Sequence, residues 1–339
     1  MKKLSLLTLA LVIASLFFTA CASQKNSQAT SPTELVKLKV LSLPYISYAP
    51  FFIAQEDGYF AAQGLDVEFI RMDKTTDAIP ALVQGQLDVA SGLMEVNMLN
   101  AVAQNGDIRY VGDKGFLDPN SCPNTTWVAR KELAESGVLD NLENIKNMKV
   151  ALSPISSAEY ALDILLKDSG LSSEDVQILD IPLPARLEGL GTGAVDIAAM
   201  SEPWATRAIN AGSGVIWQPW ENYLPNFELS IIMYGPNLLE KNPEIGKRFM
   251  VAYLNALKQY SEGKTDRNIE IVVKYTELKP EEVRQSCWIA VNPQGAINIP
   301  QILEFQEWAI SKGYQVERVT PEQFYDPSYI EQAIQLIEK

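Results

Sequence analysis

The sequence predicts an α/β protein built as two units, each a mixed, mainly parallel sheet flanked by helices. Short apolar runs alternate with amphipathic stretches in two separate regions of the 339 residues. Two further extended passages lie where the chain would leave one region and return to it. Strands that alternate with helices at this pace pair in parallel and are covered on both faces.

In the first region Val36 to Leu41 reads as a strand, with Lys37 and Lys39 alternating against apolar neighbours. Pro50 to Gln63 then reads as helix, Leu65 to Ile70 as strand and Thr76 to Gln84 as helix. Leu87 to Ala90 follows as strand and Leu93 to Gln104 as helix. The second region repeats the pattern: strand Lys149 to Ala151, helix Ser157 to Ser169, strand Val176 to Leu179, helix Ala185 to Leu190, strand Val195 to Ala199 and helix Pro203 to Ala211. Extended passages at Arg109 to Gly112 with Thr125 to Ala129, and at Val215 to Trp217 with Leu229 to Tyr234, imply that the chain crosses between the units twice. From Leu238 onward the reading is almost all helix, and those helices are expected to pack on the first unit. The expected organisation is 35–112 with 230–339 in one unit and 113–229 in the other.

Met1 to Ala20 has a positively charged start, a short apolar run and small residues before a break, which reads as an export signal rather than a membrane span. Cys21 directly after Thr19-Ala20 resembles the bacterial lipobox, whose thiol is acylated, although Phe18 stands where Leu is commoner. Residues 21–34 are polar and aperiodic and read as a flexible tether. The expectation is a lipoprotein on the outer face of the cell membrane, or periplasmic. Cys122 and Cys287 could pair in an oxidising compartment or remain separate thiols.

Composition removes several classes of function. The 28 Lys and Arg against 42 Asp and Glu give a net charge of −14, which disfavours nucleic acid as a partner. Histidine is absent, so catalytic systems with an imidazole base and His-ligated zinc are excluded. No cofactor or metal site is expected.

Ligands of open parallel sheets lie beyond the strand carboxyl ends, near helix N-termini. Four segments qualify. Leu43 to Pro50 offers Tyr45, Ser47 and Tyr48, which either meet a ligand or cover the sheet end. Ala90 to Asn97 offers Ser91, Met94, Glu95 and Asn97, with Ser91 equally suited to helix capping. Leu152 to Tyr160 offers Ser156, Ser157 and Tyr160, with Ser156 and Glu159 spaced as a capping box. Met200 to Trp204 offers Glu202 and Trp204, the indole serving as a cleft wall or as core.

Ala49-Pro50-Phe51-Phe52-Ile53-Ala54-Gln55-Glu56-Asp57-Gly58-Tyr59-Phe60, Gln63-Gly64-Leu65-Asp66-Val67 and Gly85-Gln86-Leu87-Asp88-Val89-Ala90 occur in order with Gly193-Ala194-Val195-Asp196-Ile197, Glu202-Pro203-Trp204 and Asn242-Pro243-Glu244. This set resembles the substrate-binding proteins of nitrate, sulfonate, taurine, thiamine-pyrimidine and riboflavin importers, over about Lys37 to Asn268. The resemblance implies a two-lobed periplasmic-binding-protein-like fold of type II with two hinge crossovers. It implies a monomeric receptor, not an enzyme, that closes over a small molecule and delivers it to an ABC permease and its ATPase. The four segments hold no Lys or Arg, and their tyrosines, Trp204 and carboxylates favour a planar heterocycle such as riboflavin or a thiamine-pyrimidine precursor. A nitrate, taurine or sulfonate ligand is the alternative; a pyrimidine-synthase-like enzyme and a ligand sensor are rivals from other classes.

Overall fold

The computed structural model describes residues 35–72 and 78–338; the leader, the tether with Cys21, and Thr76 and Asp77 of the expected second helix lie outside them. Among the described residues ten strands are formed: β1 Val36–Ser42, β2 Leu65–Arg71, β3 Val89–Leu93, β4 Arg109–Phe116, β5 Thr125–Arg130, β6 Lys149–Ala151, β7 Gln177–Leu179, β8 Ile197–Ser201, β9 Gly214–Pro219 and β10 Glu228–Tyr234. They make two five-stranded sheets, ordered β2-β1-β3-β10-β4 and β7-β6-β8-β5-β9. In each, three parallel strands are followed by one antiparallel strand. The two sheets therefore share one topology, with β1 matching β6, β3 matching β8 and β10 matching β5. This is the two-lobed α/β architecture with a mainly parallel sheet in each lobe.

The helices are α1 Ala49–Glu56, α2 Tyr59–Ala62, α3 Ala78–Val83, α4 Val96–Ala103, α5 Lys131–Glu135, α6 Ser157–Leu166, α7 Leu183–Thr192, α8 Trp204–Asn210, α9 Pro243–Tyr260, α10 Asp266–Thr276, α11 Pro280–Gln285, α12 Ile299–Ser311, α13 Pro321–Phe324 and α14 Ser328–Ile337. The helix expected over Pro50 to Gln63 is two, because Gly58 takes a left-handed φ of 77° that breaks the ladder. Leu93 belongs to β3, and α4 starts only at Val96 after the extended Glu95.

The C-terminal region departs from the all-helical reading. Residues 286–298 carry Pro293 and Gly295 (φ 70°) and run alongside β4 instead, where Phe116 donates its N–H to Ala290 O and Asp113 donates its N–H to Gly295 O. Helix α9 packs on α1, α2 and α14, whereas α12 touches both α4 and α6, which flank different sheets. Tyr314 and Lys312, just past α12, reach Glu159 and Asp163 of α6, while Asn100 of α4 donates to Tyr314 O. One apolar cluster accordingly runs from Met94 and Leu99 through Phe305 to Leu152 and Tyr160, joining the lobes. On the opposite side Arg207 of α8 pairs with Glu282 of α11 at 2.7 Å. A disulfide between Cys122, in the first crossover, and Cys287, Cα atoms 5.7 Å apart, lies near it.

The strands that leave and re-enter the first sheet, β4 and β10, are neighbours, and they bury charge. Asp113 and Glu228 are 0% and 1% exposed. Asp113 accepts the main-chain N–H groups of Gly115 and Asn292, and Glu228 accepts that of Asn298. Burial raises the pKa of both carboxyls, and each stands against the other, so the pair is best satisfied when it holds one proton. A raised carboxyl pKa destabilises the fold above it and has no effect below the ordinary carboxylate range. Glu228→Gln keeps an acceptor for Asn298 and supplies a permanent donor to Asp113. It should raise thermal stability at pH 8 by about 1–3 kcal/mol, with the gain vanishing near pH 4; melting curves across that range check this.

Candidate functional site

The stretches that follow β3 and β6 at their carboxyl ends meet between the lobes through main chain. Ser157 donates its N–H to Met94 O at 3.0 Å, Val96 donates its N–H to Ile155 O at 3.4 Å, and Glu95 pairs with Ser156 as an antiparallel bridge. The N–H at the first turn of α6 is thus taken by the opposite lobe. Ser156 caps that helix by accepting from Ala158 N, and Glu159 accepts Ile155 N at 2.7 Å.

On the first lobe, Tyr48 is buried and donates to Ser91 O at 2.6 Å, its ring against Phe51 and Phe52. Over its other side stands Lys114 of β4, with Nζ 4.1 Å from the ring centroid, 3.1 Å from Ser230 Oγ and 3.4 Å from Ser47 Oγ. Lys114 is 2% exposed and has no carboxylate within salt-bridge distance among the described residues. Burial lowers its pKa to about 7, opposed by the charge of Asp113 next to it. Tyr45 and Ser47 are half-buried. The Tyr45 hydroxyl has a raised pKa because it is desolvated, partly offset by the charge of Arg186 from the second lobe. Ser91 Oγ is fully buried without a partner among the described residues.

On the second lobe, Arg186 of α7 is 6% exposed. Its guanidinium donates to Ile181 O, Ala199 O and Ser153 Oγ at 2.8, 2.9 and 3.1 Å. Desolvation lowers its pKa to about 10, which still leaves it charged at neutral pH. Ser157 Oγ is buried without a partner among the described residues.

Of the residues singled out in the sequence, Ser47 and Tyr48 touch Lys114, Ser91 O accepts from Tyr48, Tyr45 stands close enough to Arg186 to feel its charge, and Met94, Glu95, Ser156 and Ser157 form the crossing between lobes. The others lie elsewhere. Asn97 Oδ1 and Tyr110 Oη are buried and unpartnered among the described residues, and both residues line a small cavity of about 10 Å³ behind β3, room for roughly one water. Tyr160 packs into an aromatic cluster with Phe227, Phe305 and Trp308 at 5.4–5.6 Å, where burial pushes its hydroxyl pKa up to about 12. Glu202 accepts from the N–H and hydroxyl of Thr206 and from Cys287 N, capping α8. Trp204 is covered by the Arg207 guanidinium, 4.8 Å from its ring.

Lys114, Arg186, Ser153 and Ser230 were not visible as site residues in the sequence. Lys114 sits in Gly112-Asp113-Lys114-Gly115, which resembles a polar turn but continues the buried middle of β4.

The chain belongs to the NMT1-like family, whose model matches residues 31–275. Among its relatives is the taurine-binding periplasmic protein of Escherichia coli, 23% identical over 74% of this chain and 72% of that protein. Another is the formylaminopyrimidine-binding protein of Halalkalibacterium halodurans, 20% identical over 89% and 83%. It also matches the bicarbonate transport ATP-binding protein CmpC of Synechocystis, 25% identical over 58% of this chain, but spans only 32% of that protein's length. The fold matches the solved nitrate-binding protein NrtA of Synechocystis, with a TM-score of 0.72 at 16% identity and 90% coverage of both chains. It also matches the ligand-binding component of an ABC-type import system of Staphylococcus aureus, with a TM-score of 0.73 at 13% identity and coverage of 88% and 99%.

The main-chain crossing can be weakened without loss of α6. Proline is accepted at the first position of a helix, and the extended Ser156 before it suits a following proline. Ser157→Pro removes the N–H bonded to Met94 O, a bond of about 0.5–1.5 kcal/mol. Amide exchange at Val96 should accelerate about two- to tenfold in this variant, as measured by hydrogen exchange.

Proposed function

We propose that this protein is the solute-binding component of an ABC-type importer, and that it captures a small solute bearing an acidic oxyanion group in the gap between its lobes. Lys114 and Arg186 carry this reading. Each is buried beside the gap, one on either lobe, and neither forms an ion pair within 4 Å among the described residues. A buried guanidinium in one lobe and a buried amine with a pKa of about 7 in the other favour an anion held between the lobes, because the anion would stabilise the charged amine where water is excluded. The four sequence segments lacked Lys and Arg, which favoured a neutral heterocycle. The cations come from β4 and α7 instead, outside those segments. Three of the four aromatic side chains expected to stack on a ligand have their faces packed against protein.

Tyr45 supports a second reading, in which a flat heterocycle stacks on its half-exposed ring. The match to a formylaminopyrimidine-binding protein over 312 residues favours it as well.

Capture without catalysis fits a sequence without histidine, whose cysteines Cys122 and Cys287 are tied in a disulfide. A solute that binds the closed arrangement better than the open one shifts the population toward closure, and that closed form would be presented to the permease. Met1 to Cys21 supports export and acylation at Cys21, holding the chain on the membrane by its N-terminus. Among the described residues no helix is long and apolar enough to cross a membrane.

Native mass spectrometry of the protein purified from its host should reveal a co-purified acidic solute, and removing it should enlarge the scattering radius, with re-addition restoring compaction. A neutral aromatic adduct would favour the second reading, and an unchanged radius would reject capture by closure. Cys21→Ser should move the protein from the membrane fraction to the soluble one, checked by fractionation of cells.

A further inference from the structure

Ser47 and Ser153 lie in corresponding strand-to-helix connections of the two lobes, after β1 and after β6, the strands at the second position of each sheet; Ser47 is in the turn just before α1 and Ser153 is nearer its strand. Each is half-buried. Each accepts a hydrogen bond from a buried cation of its own lobe: Ser47 Oγ from Lys114 Nζ at 3.4 Å, Ser153 Oγ from Arg186 Nη2 at 3.1 Å. A hydroxyl that accepts from a cation has its own proton left to give, and that proton is made a stronger donor by the positive charge behind it. Neither hydroxyl proton has an acceptor among the described residues, whereas Ser230, which also accepts from Lys114, passes its proton to Gly92 O at 2.9 Å.

Main-chain contacts bring the two stretches together. Tyr48, next to Ser47, donates to Ser91 O at 2.6 Å, and the chain that follows Ser91 bonds through Met94 O and Val96 N to Ser157 N and Ile155 O, just after Ser153. The basic groups reach these places by different routes, Lys114 from a strand and Arg186 from a helix, yet each donates to a serine hydroxyl.

We propose that Ser47 and Ser153 are a matched pair of oxyanion donors, one per lobe, that hold the acidic group of the solute between them while Lys114 and Arg186 supply charge from behind. The inference rests on the reading of the gap as an anion site and adds the residues that select for it. Because each lobe gives one donor, the group is fully held only when the lobes are closed, so its binding favours closure.

Calorimetric titration of the full-length protein with ethanesulfonate, and separately with nitrate, tests this. The wild type should bind at least one of them. Ser47→Ala and Ser153→Ala should each weaken that binding about tenfold or more, and the double variant further, as expected for loss of a charge-assisted hydrogen bond. Ser47→Thr, which keeps the hydroxyl, should restore affinity to within about threefold of wild type. Anion binding that is unchanged in both alanine variants would overturn the paired donors and leave the anion reading standing. So would losses that Ser47→Thr does not repair. If neither anion binds at about 10 mM, roughly tenfold above a Kd of 1 mM, the anion reading fails and the donors fail with it.

Discussion

A chain that crosses from one sheet to another and comes back must find a place for its return, and here the return strand β10 inserts beside the departing strand β4. The antiparallel contact of these two strands anchors both crossovers side by side in one sheet. That pair of strands is almost entirely buried, and it still carries Asp113, Lys114 and Glu228. Their placement decides the character of what lies around them. The carboxyls face the C-terminal stretch and bind its main-chain N–H groups, which holds residues 286–298 against the hinge strands. The Lys114 amine lies instead against Tyr48, Ser47 and Ser230, a basic group buried inside an overall acidic protein.

The contrast between net charge and local charge is the main chemical feature of the molecule. A surface rich in carboxylates gives no attraction for anions at a distance, and screening confines such effects to about 10 Å in any case. Selectivity then depends on groups withdrawn from water, where each interaction is stronger and each unpaired ion more costly. Lys114 is buried with hydroxyls and an aromatic ring instead of in an ion pair, and desolvation lowers its pKa to about 7 against the opposing charge of Asp113.

The alternation of strands and helices was legible because it depends on local periodicity. β1, β2 and β5 lie within one residue of their expected limits, since apolar residues alternate there against polar ones or turn signals. β4 was cut short at Gly112 because Asp113-Lys114 flanked by glycines has the composition of a turn, and only tertiary burial makes it strand. The stretch after Gln285 failed for a related reason: its extended path is set by partners on β4 more than 170 residues earlier in the chain. For the site, Tyr45 and Ser47 could be anticipated from their position after the first strand. Arg186 could not, because an arginine on a surface helix ordinarily points to solvent, and its inward path follows from carbonyls of two other segments. Tyr160 shows the opposite limit, a residue at a helix start that faces an aromatic core because α12 covers it.

The bond between Cys122 and Cys287 encloses a ring of chain with ends 165 positions apart. The whole second sheet lies inside that ring, together with the return strand and helices α9 to α11 of the first lobe. A protease that nicks any loop within it produces two termini but no separate fragments. The second lobe can be cut, yet it stays covalently tethered to its partner.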